Sequence, residues 1–141
     1  MPRSYLLVAV ALAVAVSLGA CGGDAETQTD DVEALLSSAR AYLEAGDYVE
    51  AIEALEATAE ETSTNSDVHF LLGQAYNQSG ELSKAADAFR KVLELEPESA
   101  AAHHNLGVTY YQLQDLRSAV DEFEKALEID PDDSDTHYQL G

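Results

Sequence analysis

The chain has 141 residues, and its 27 acids against seven lysines and arginines give a net charge of −20. Such a surface repels nucleic-acid phosphates and anionic headgroups, which excludes DNA or RNA binding as a function class. With one cysteine it can form no intrachain disulfide, so any fold must rest on apolar packing.

Met1-Pro2-Arg3 is short and basic, Tyr5 to Ser17 is an unbroken apolar run, and Leu18-Gly19-Ala20-Cys21 follows before Gly22-Gly23. Charge, apolar core and small residues in that order predict a secretory signal over residues 1–20. The apolar span is short for a membrane helix, which needs about 20 residues. Leu18-Gly19-Ala20-Cys21 also resembles the bacterial lipobox. That resemblance implies cleavage before Cys21, lipidation of its sulfur, and anchoring on the extracytoplasmic side of the cell membrane or the outer membrane. Ordinary cleavage with release, and an uncleaved anchor helix, are the other outcomes. Gly22 to Asp31 holds Gly, Thr, Gln and acid without apolar spacing, so residues 21–31 read as the lipidated cysteine and a flexible tether. Every acid lies beyond Cys21 and Arg3 lies before it, so from Cys21 onward six bases face 27 acids, a net of −21.

From Val32 the chain repeats itself. Tyr42, Tyr76 and Tyr110 recur at a spacing of 34 residues, as do Ala51, Ala85 and Ala119, and Leu55, Phe89 and Phe123. Three copies align without insertion: Val32–Asn65, Ser66–Ser99 and Ala100–Asp133. Each holds two apolar stripes at helical spacing, such as Val68, Leu71, Leu72, Ala75 and Tyr76, then Leu82, Ala85, Ala86, Phe89, Val92 and Leu93. The breaks fall at Gly46-Asp47, Gly80-Glu81 and Gln114-Asp115. Gly46 and Gly80 suit the left-handed residue that ends a helix. Asp47 and Asp115 are predicted N-caps, with Glu50 completing a capping box for the first. Pro97 and Pro131 separate the copies. Gly73, Gly107 and the periodic alanines predict close helix contact, with an aromatic filling the space beside them.

The pattern Leu72-Gly73-x-x-Tyr76, Ala85, Phe89, Pro97 and its copy Leu106-Gly107-x-x-Tyr110, Ala119, Phe123, Ala126, Pro131 resemble the tetratricopeptide repeat. The resemblance covers about three quarters of the chain. It implies an all-α, right-handed superhelical solenoid of antiparallel helix pairs, a binding module with no catalytic residues. The copy at 32–65 is degenerate, with Ser38-Ala39 in place of Leu-Gly. Residues 134–141 match Ser66–Gly73 and read as the opening of a fourth repeat, which suggests a fragment of a longer protein; the alternative is a true terminus whose stub caps the third copy.

No phosphate loop and no nucleophile–base set occurs, and no enzyme, cofactor or small-molecule substrate is expected. His69, His103 and His137 occupy equivalent positions about one helix spacing apart, too far for a shared metal, and are expected to be structural. Asp130-Pro131-Asp132-Asp133-Ser134-Asp135 lacks the glycine and glutamate of a calcium loop. The acids steer basic partners or simply keep the protein soluble.

By resemblance, the first helix of each copy lines a concave groove. The lining positions are Leu36, Arg40 and Leu43; Phe70, Gln74 and Asn77; His104, Val108 and Tyr111. Gln74, Asn77 and Gln112 are placed to bond a peptide backbone, and Phe70 and Tyr111 to hold apolar side chains. Arg40, Phe70, Gln74, Asn77, His104, Tyr111 and Gln112 are therefore the candidate partner-binding residues, and Cys21 the lipidation site. The alternative for Phe70 and Tyr111 is packing within the stack. Three such helices span about 30 Å, room for roughly eight extended residues. The expected function is a membrane-tethered scaffold that holds a protein or peptide for envelope complex assembly. The alternative is an accessory binding region of a larger exported protein with a catalytic or transport part beyond Gly141.

Overall fold

The computed structural model describes residues 25–141, with side chains from Asp30 onward. The signal segment and Cys21 lie outside the described residues. Seven helices and no strand occur among them: α1 Ala25–Ala45, α2 Tyr48–Glu61, α3 Ser66–Ser79, α4 Leu82–Leu95, α5 Ala100–Gln112, α6 Leu116–Ile129 and α7 Ser134–Leu140. The connections are short, so consecutive helices pack as antiparallel neighbours. Each helix contacts the next in order, from α1 to α7. The solenoid expected from the 34-residue period is the architecture observed.

Helix α1 begins earlier than expected. Residues 25–31, read as tether, belong to the helix. The physical reason is that Ala25 to Ala45 contains no glycine or proline to stop it, and Ala, Glu and Gln sustain helix without an apolar stripe.

The breaks between paired helices use the left-handed conformation. Gly46 has φ 83° and Gly80 φ 87°, and Gln114 adopts the same region at φ 64° without being glycine. Behind it, Asp115 caps α6 as expected, accepting from Ser118 N at 3.2 Å and from Ser118 Oγ at 2.7 Å. Those bonds, the hydroxyl first, hold its carboxyl below the usual carboxylate range. Asp47 makes no such bond, so the expected capping box with Glu50 does not form. Its φ of −86° and ψ of 65° are close to those of Asp115, at −86° and 74°, so the backbone permits the cap and the side chain does not make it.

Leu36, Ala39, Ala51, Leu55, Val68, Ala75, Ala85 and Phe89 form one continuous core that runs through the repeats to Leu106. Its narrowest point is a ring on a bare backbone. A Cβ built on Gly73 would stand 2.6 Å from Phe89 Cε1, and one on Gly107 would stand 2.7 Å from Phe123 Cδ1. Phe89 is fully buried and meets Phe70 edge-on at 5.7 Å, so its ring has nowhere to retreat. Gly73→Ala is expected to cost about 1–2 kcal/mol net, because overpacking of about 1–3 kcal/mol exceeds the gain in helix propensity of about 1 kcal/mol. Urea unfolding of the two proteins measures it; an unchanged midpoint would refute the contact. Conversely, Gln114→Gly removes a left-handed side chain that costs about 1–2 kcal/mol, against about 0.5–1 kcal/mol of added chain entropy. The expected outcome is a small rise in thermal midpoint, read by calorimetry.

Candidate functional site

Three contacts join each repeat to its neighbours, and they account for the periodic polar residues. The first uses tyrosine. The Tyr76 hydroxyl donates to Glu56 of the preceding repeat, and Lys84 Nζ lies 5.1 Å over the ring. Burial first, then the bond and charge of Glu56, raise the phenol well above its ordinary pKa. One repeat on, Tyr110 Oη accepts from Arg90 Nε at 3.2 Å. Glu56 and Arg90 are equivalent positions of opposite charge; a hydroxyl serves either, as donor or acceptor.

The second contact uses histidine. His69 Nε2 donates to the Ser63 carbonyl at 3.0 Å, His103 Nε2 to Pro97 at 3.1 Å, and His137 Nε2 to Pro131 at 2.8 Å. Each ring thus closes the turn that precedes its own helix. His103 also places Nδ1 2.6 Å from Glu122 Oε2, and Lys125 Nζ holds the other oxygen of that carboxylate at 2.7 Å. No group of three or more His, Cys, Asp or Glu among the described residues is arranged to hold a metal ion.

The third contact takes two of the residues expected to meet a ligand. Asn77 Nδ2 donates to Thr109 Oγ1 of the next repeat at 2.9 Å. Thr136 donates its hydroxyl to Asp133, leaving its oxygen to accept from His104 Nδ1 at 2.5 Å. His104 also lies on Phe123, with ring centroids 5.8 Å apart. Phe70 meets Phe89 within its own repeat. Asn77 and His104 are joints between repeats. The 34-residue period marks these positions: His104 stands one period after Phe70, and Tyr111 one period after Asn77.

What remains is a separate exposed line. α1 touches α3 and α3 touches α5, whereas α2 and α4, and α4 and α6, are not in comparable contact. The odd-numbered helices therefore form the tighter, inner side of the stack. Arg40 and Gln112 are exposed there, Tyr111 keeps 52% of its surface in solvent, and Gln74 and Val108 are half-buried. Of the nine expected lining positions, Leu36 is buried in the core at 1%. Leu43 is partly buried against the core. Arg40, Tyr111 and Gln112 are thus exposed; Phe70, Gln74, Asn77 and His104 are all half-buried, and of these four Gln74 alone has no hydrogen-bond or ring partner among the described residues.

Fold and site together define a helical-repeat interaction module. Family models described as TPR repeat and tetratricopeptide repeat match residues 42–88, 73–114 and 100–133. The chain belongs to the tetratricopeptide-repeat family. Among solved structures, a point mutant of MamA is 30% identical over 72% of this chain and 74% of its own, with a TM-score of 0.67. The first TPR domain of Spaghetti (RPAP3), bound to the HSP90 peptide SRMEEVD, is 21% identical over 76% of this chain and 85% of its own, with a TM-score of 0.73. YrrB, described as a TPR protein with an unusual peptide-binding site, is 24% identical over 75% of this chain and 55% of its own, with a TM-score of 0.72. Comparison with curated protein sequences gives no match.

The Asp133 cap tests how α7 is held. The Thr136 hydroxyl, then the backbone amides of Thr136 and Asp135, keep the Asp133 carboxyl below the usual carboxylate range. A depressed carboxyl stabilises above its unfolded pKa, about 3.9, and that contribution is lost as pH falls through the lower folded value. Asp133→Ala is expected to cost about 1 kcal/mol and to speed amide exchange in residues 134–140, while α3–α5 stay protected. Hydrogen-exchange mass spectrometry at pH 7 measures it. Acidifying the unaltered protein below about pH 4 is expected to reproduce the loosening.

Proposed function

We propose that this chain is a membrane-tethered scaffold that holds an extended peptide or a partner-protein segment on the inner face of its repeats, in the assembly of an envelope complex. The observation that carries the reading is that Arg40, Tyr111 and Gln112 are exposed and Gln74 is half-buried on the inner helices, whereas Asn77 and His104 are bonded to the next repeat. Carboxamides offer a donor and an acceptor each, which suits the alternating groups of a peptide backbone. An exposed tyrosine supplies apolar contact area at low entropic cost. Similarity to TPR domains described as peptide-binding supports the class of ligand.

The tether part rests on the lipobox resemblance at Cys21. No described helix is long and apolar enough to cross a membrane. Only residues 22–24 separate Cys21 from the start of α1 at Ala25. Four peptide steps reach at most about 14 Å, so a lipid on Cys21 would keep the first repeat against the bilayer surface.

Two measurements test the two parts separately. Cys21→Ser is expected to move the protein from the membrane fraction to the soluble exported fraction; continued membrane retention would contradict lipid anchoring. Crosslinking pull-down of the unaltered protein against an Arg40→Ala, Gln74→Ala, Tyr111→Ala, Gln112→Ala variant tests the face. These side chains are accessible, so the variant is expected to fold with little loss of stability and to lose its partners. Identical partner sets would remove this face from the function.

A further inference from the structure

The third repeat differs from the others beside one histidine. His69, His103 and His137 each aim Nε2 at the carbonyl that closes the turn before their helix. Of the three, His103 alone also bonds through Nδ1 among the described residues, to Glu122 Oε2 at 2.6 Å. One and two periods before Glu122 the chain carries Ala88 and Ala54. A carboxylate therefore stands where the other repeats place a methyl, and it is enclosed: the side chains of His103 and Glu122 keep 11% and 12% of their surface in solvent. A carboxylate so placed is costly unless it is paired. Its second oxygen is taken by Lys125 Nζ at 2.7 Å.

The two contacts of His103 fix what its ring must carry. The Pro97 carbonyl and an ionised carboxylate oxygen only accept, while a neutral imidazole has one N–H to give. Both contacts are hydrogen bonds when both nitrogens carry hydrogen, that is, when the ring is a cation. A protonated Glu122 is the other way to satisfy Nδ1, and Lys125 on the same carboxylate stands against it. Around the ring, α6 supplies Glu122 and, behind it, Lys125; the α4–α5 turn supplies the exposed Glu96 and Glu98 on either side of Pro97. On α5, His104 turns away to Thr136 and lies 3.7 Å from Asp133, at the start of α7. Among the described residues no ion pair reaches His103 from α3 or α4. The positive end of α5 and Lys125 oppose a cation; the Glu122 contact, the acids of the turn and the net charge of −20 favour it. We propose that His103 and Glu122 form a proton-dependent latch, which ties α5 both to α6 and to the turn before it. With the ring cationic both bonds stand. Loss of one hydrogen as pH rises removes one of them and loosens the third repeat, not the second. Tyr111 and Gln112 belong to α5 and its end, so pH acts on the helix that presents them. The latch does not depend on the inner face binding a peptide.

Histidine is the side chain whose charge changes across the ordinary pH range, and the direction here is opposite to that of the Asp133 cap, which loosens in acid. Proton–nitrogen correlation NMR of the imidazole rings reads the ring hydrogens directly. At about pH 7 His103 is expected to carry hydrogen on both nitrogens. A ring with hydrogen on one nitrogen only would overturn the latch. Hydrogen-exchange mass spectrometry, corrected for the intrinsic pH dependence of amide exchange, reads the consequence. Between about pH 6 and about pH 9, protection of α5 and α6 is expected to fall about tenfold relative to α3 and α4, as befits the loss of one charge-assisted bond. Two variants remove that response. Glu122→Ala restores the residue of the other repeats, and Glu122→Gln supplies an amide that donates to a neutral ring. In both, the same change in pH is expected to shift the ratio less than about twofold. The glutamine variant keeps the test decisive should the alanine variant fail to fold. An equal response in the unaltered protein and the glutamine variant, or no response in the unaltered protein, would overturn the latch.

Discussion

The spacing between the two helices of a pair governs everything else in this stack, and a phenyl ring lying on bare backbone sets it. Phe89 covers Gly73 and Phe123 covers Gly107, each where a single added carbon would overlap the ring. The first repeat solves the same problem with other residues. Ala39 stands where Gly73 stands one period later, and Leu55 where Phe89 stands; both are buried, at 0% and 1% exposure. A methyl gained on one helix is matched by a smaller side chain on the other. Such volume-conserving exchange is what a close-packed core tolerates. The repeat that looks worn in sequence is therefore intact in packing.

Close pairing leaves each inner helix with three kinds of surface: one against its pair, one against its neighbours in the stack, and one free. The polar periodicity belongs to the second kind. Tyr76 and Tyr110 reach back to Glu56 and Arg90, the three histidines close the turns before their helices, and Asn77 and His104 reach forward to Thr109 and Thr136. No buried side-chain polar atom of the described residues is left unsatisfied. A solenoid transmits its stability through such nearest-neighbour joints, so a residue that repeats faithfully is as suited to a joint as to a ligand site.

The period, the apolar stripes and the helix pairs were legible because they depend on residue type at fixed spacing. Gly46 and Gly80 announced their left-handed conformations; Gln114 adopts one because the turn between α5 and α6 must close in the same way, whatever residue stands there. The Asp47–Glu50 pattern was present and its bonds were not, although Asp115 caps α6 from almost the same backbone angles, so the pattern alone does not place the side chain. Residues 25–31 looked like a tether because they lack an apolar stripe, yet Ala, Glu and Gln sustain helix without one. Among the site residues, lining positions were legible to within a helical turn. Whether a position was free or bonded to the next repeat was not legible, because equivalent positions differ: Asn77 bonds Thr109, while Tyr111, one period on, is exposed.

The division between joints and accessible positions also bears on composition. Side chains at the joints must find partners inside the stack, so they are tyrosine, histidine, asparagine and threonine with fixed bonds. Arg40, Gln74 and Gln112 have no such bond among the described residues, and Tyr111, at the position of Asn77, is exposed. Solubility alone would call for charge on this side as it does on α2, where Glu50, Glu53, Glu56, Glu60 and Glu61 occur with no base. Instead, α5 carries no charged side chain of Asp, Glu, Lys or Arg along its whole length. In a protein whose surface is otherwise so acidic, this uncharged inner helix sets its side of the stack apart from α2.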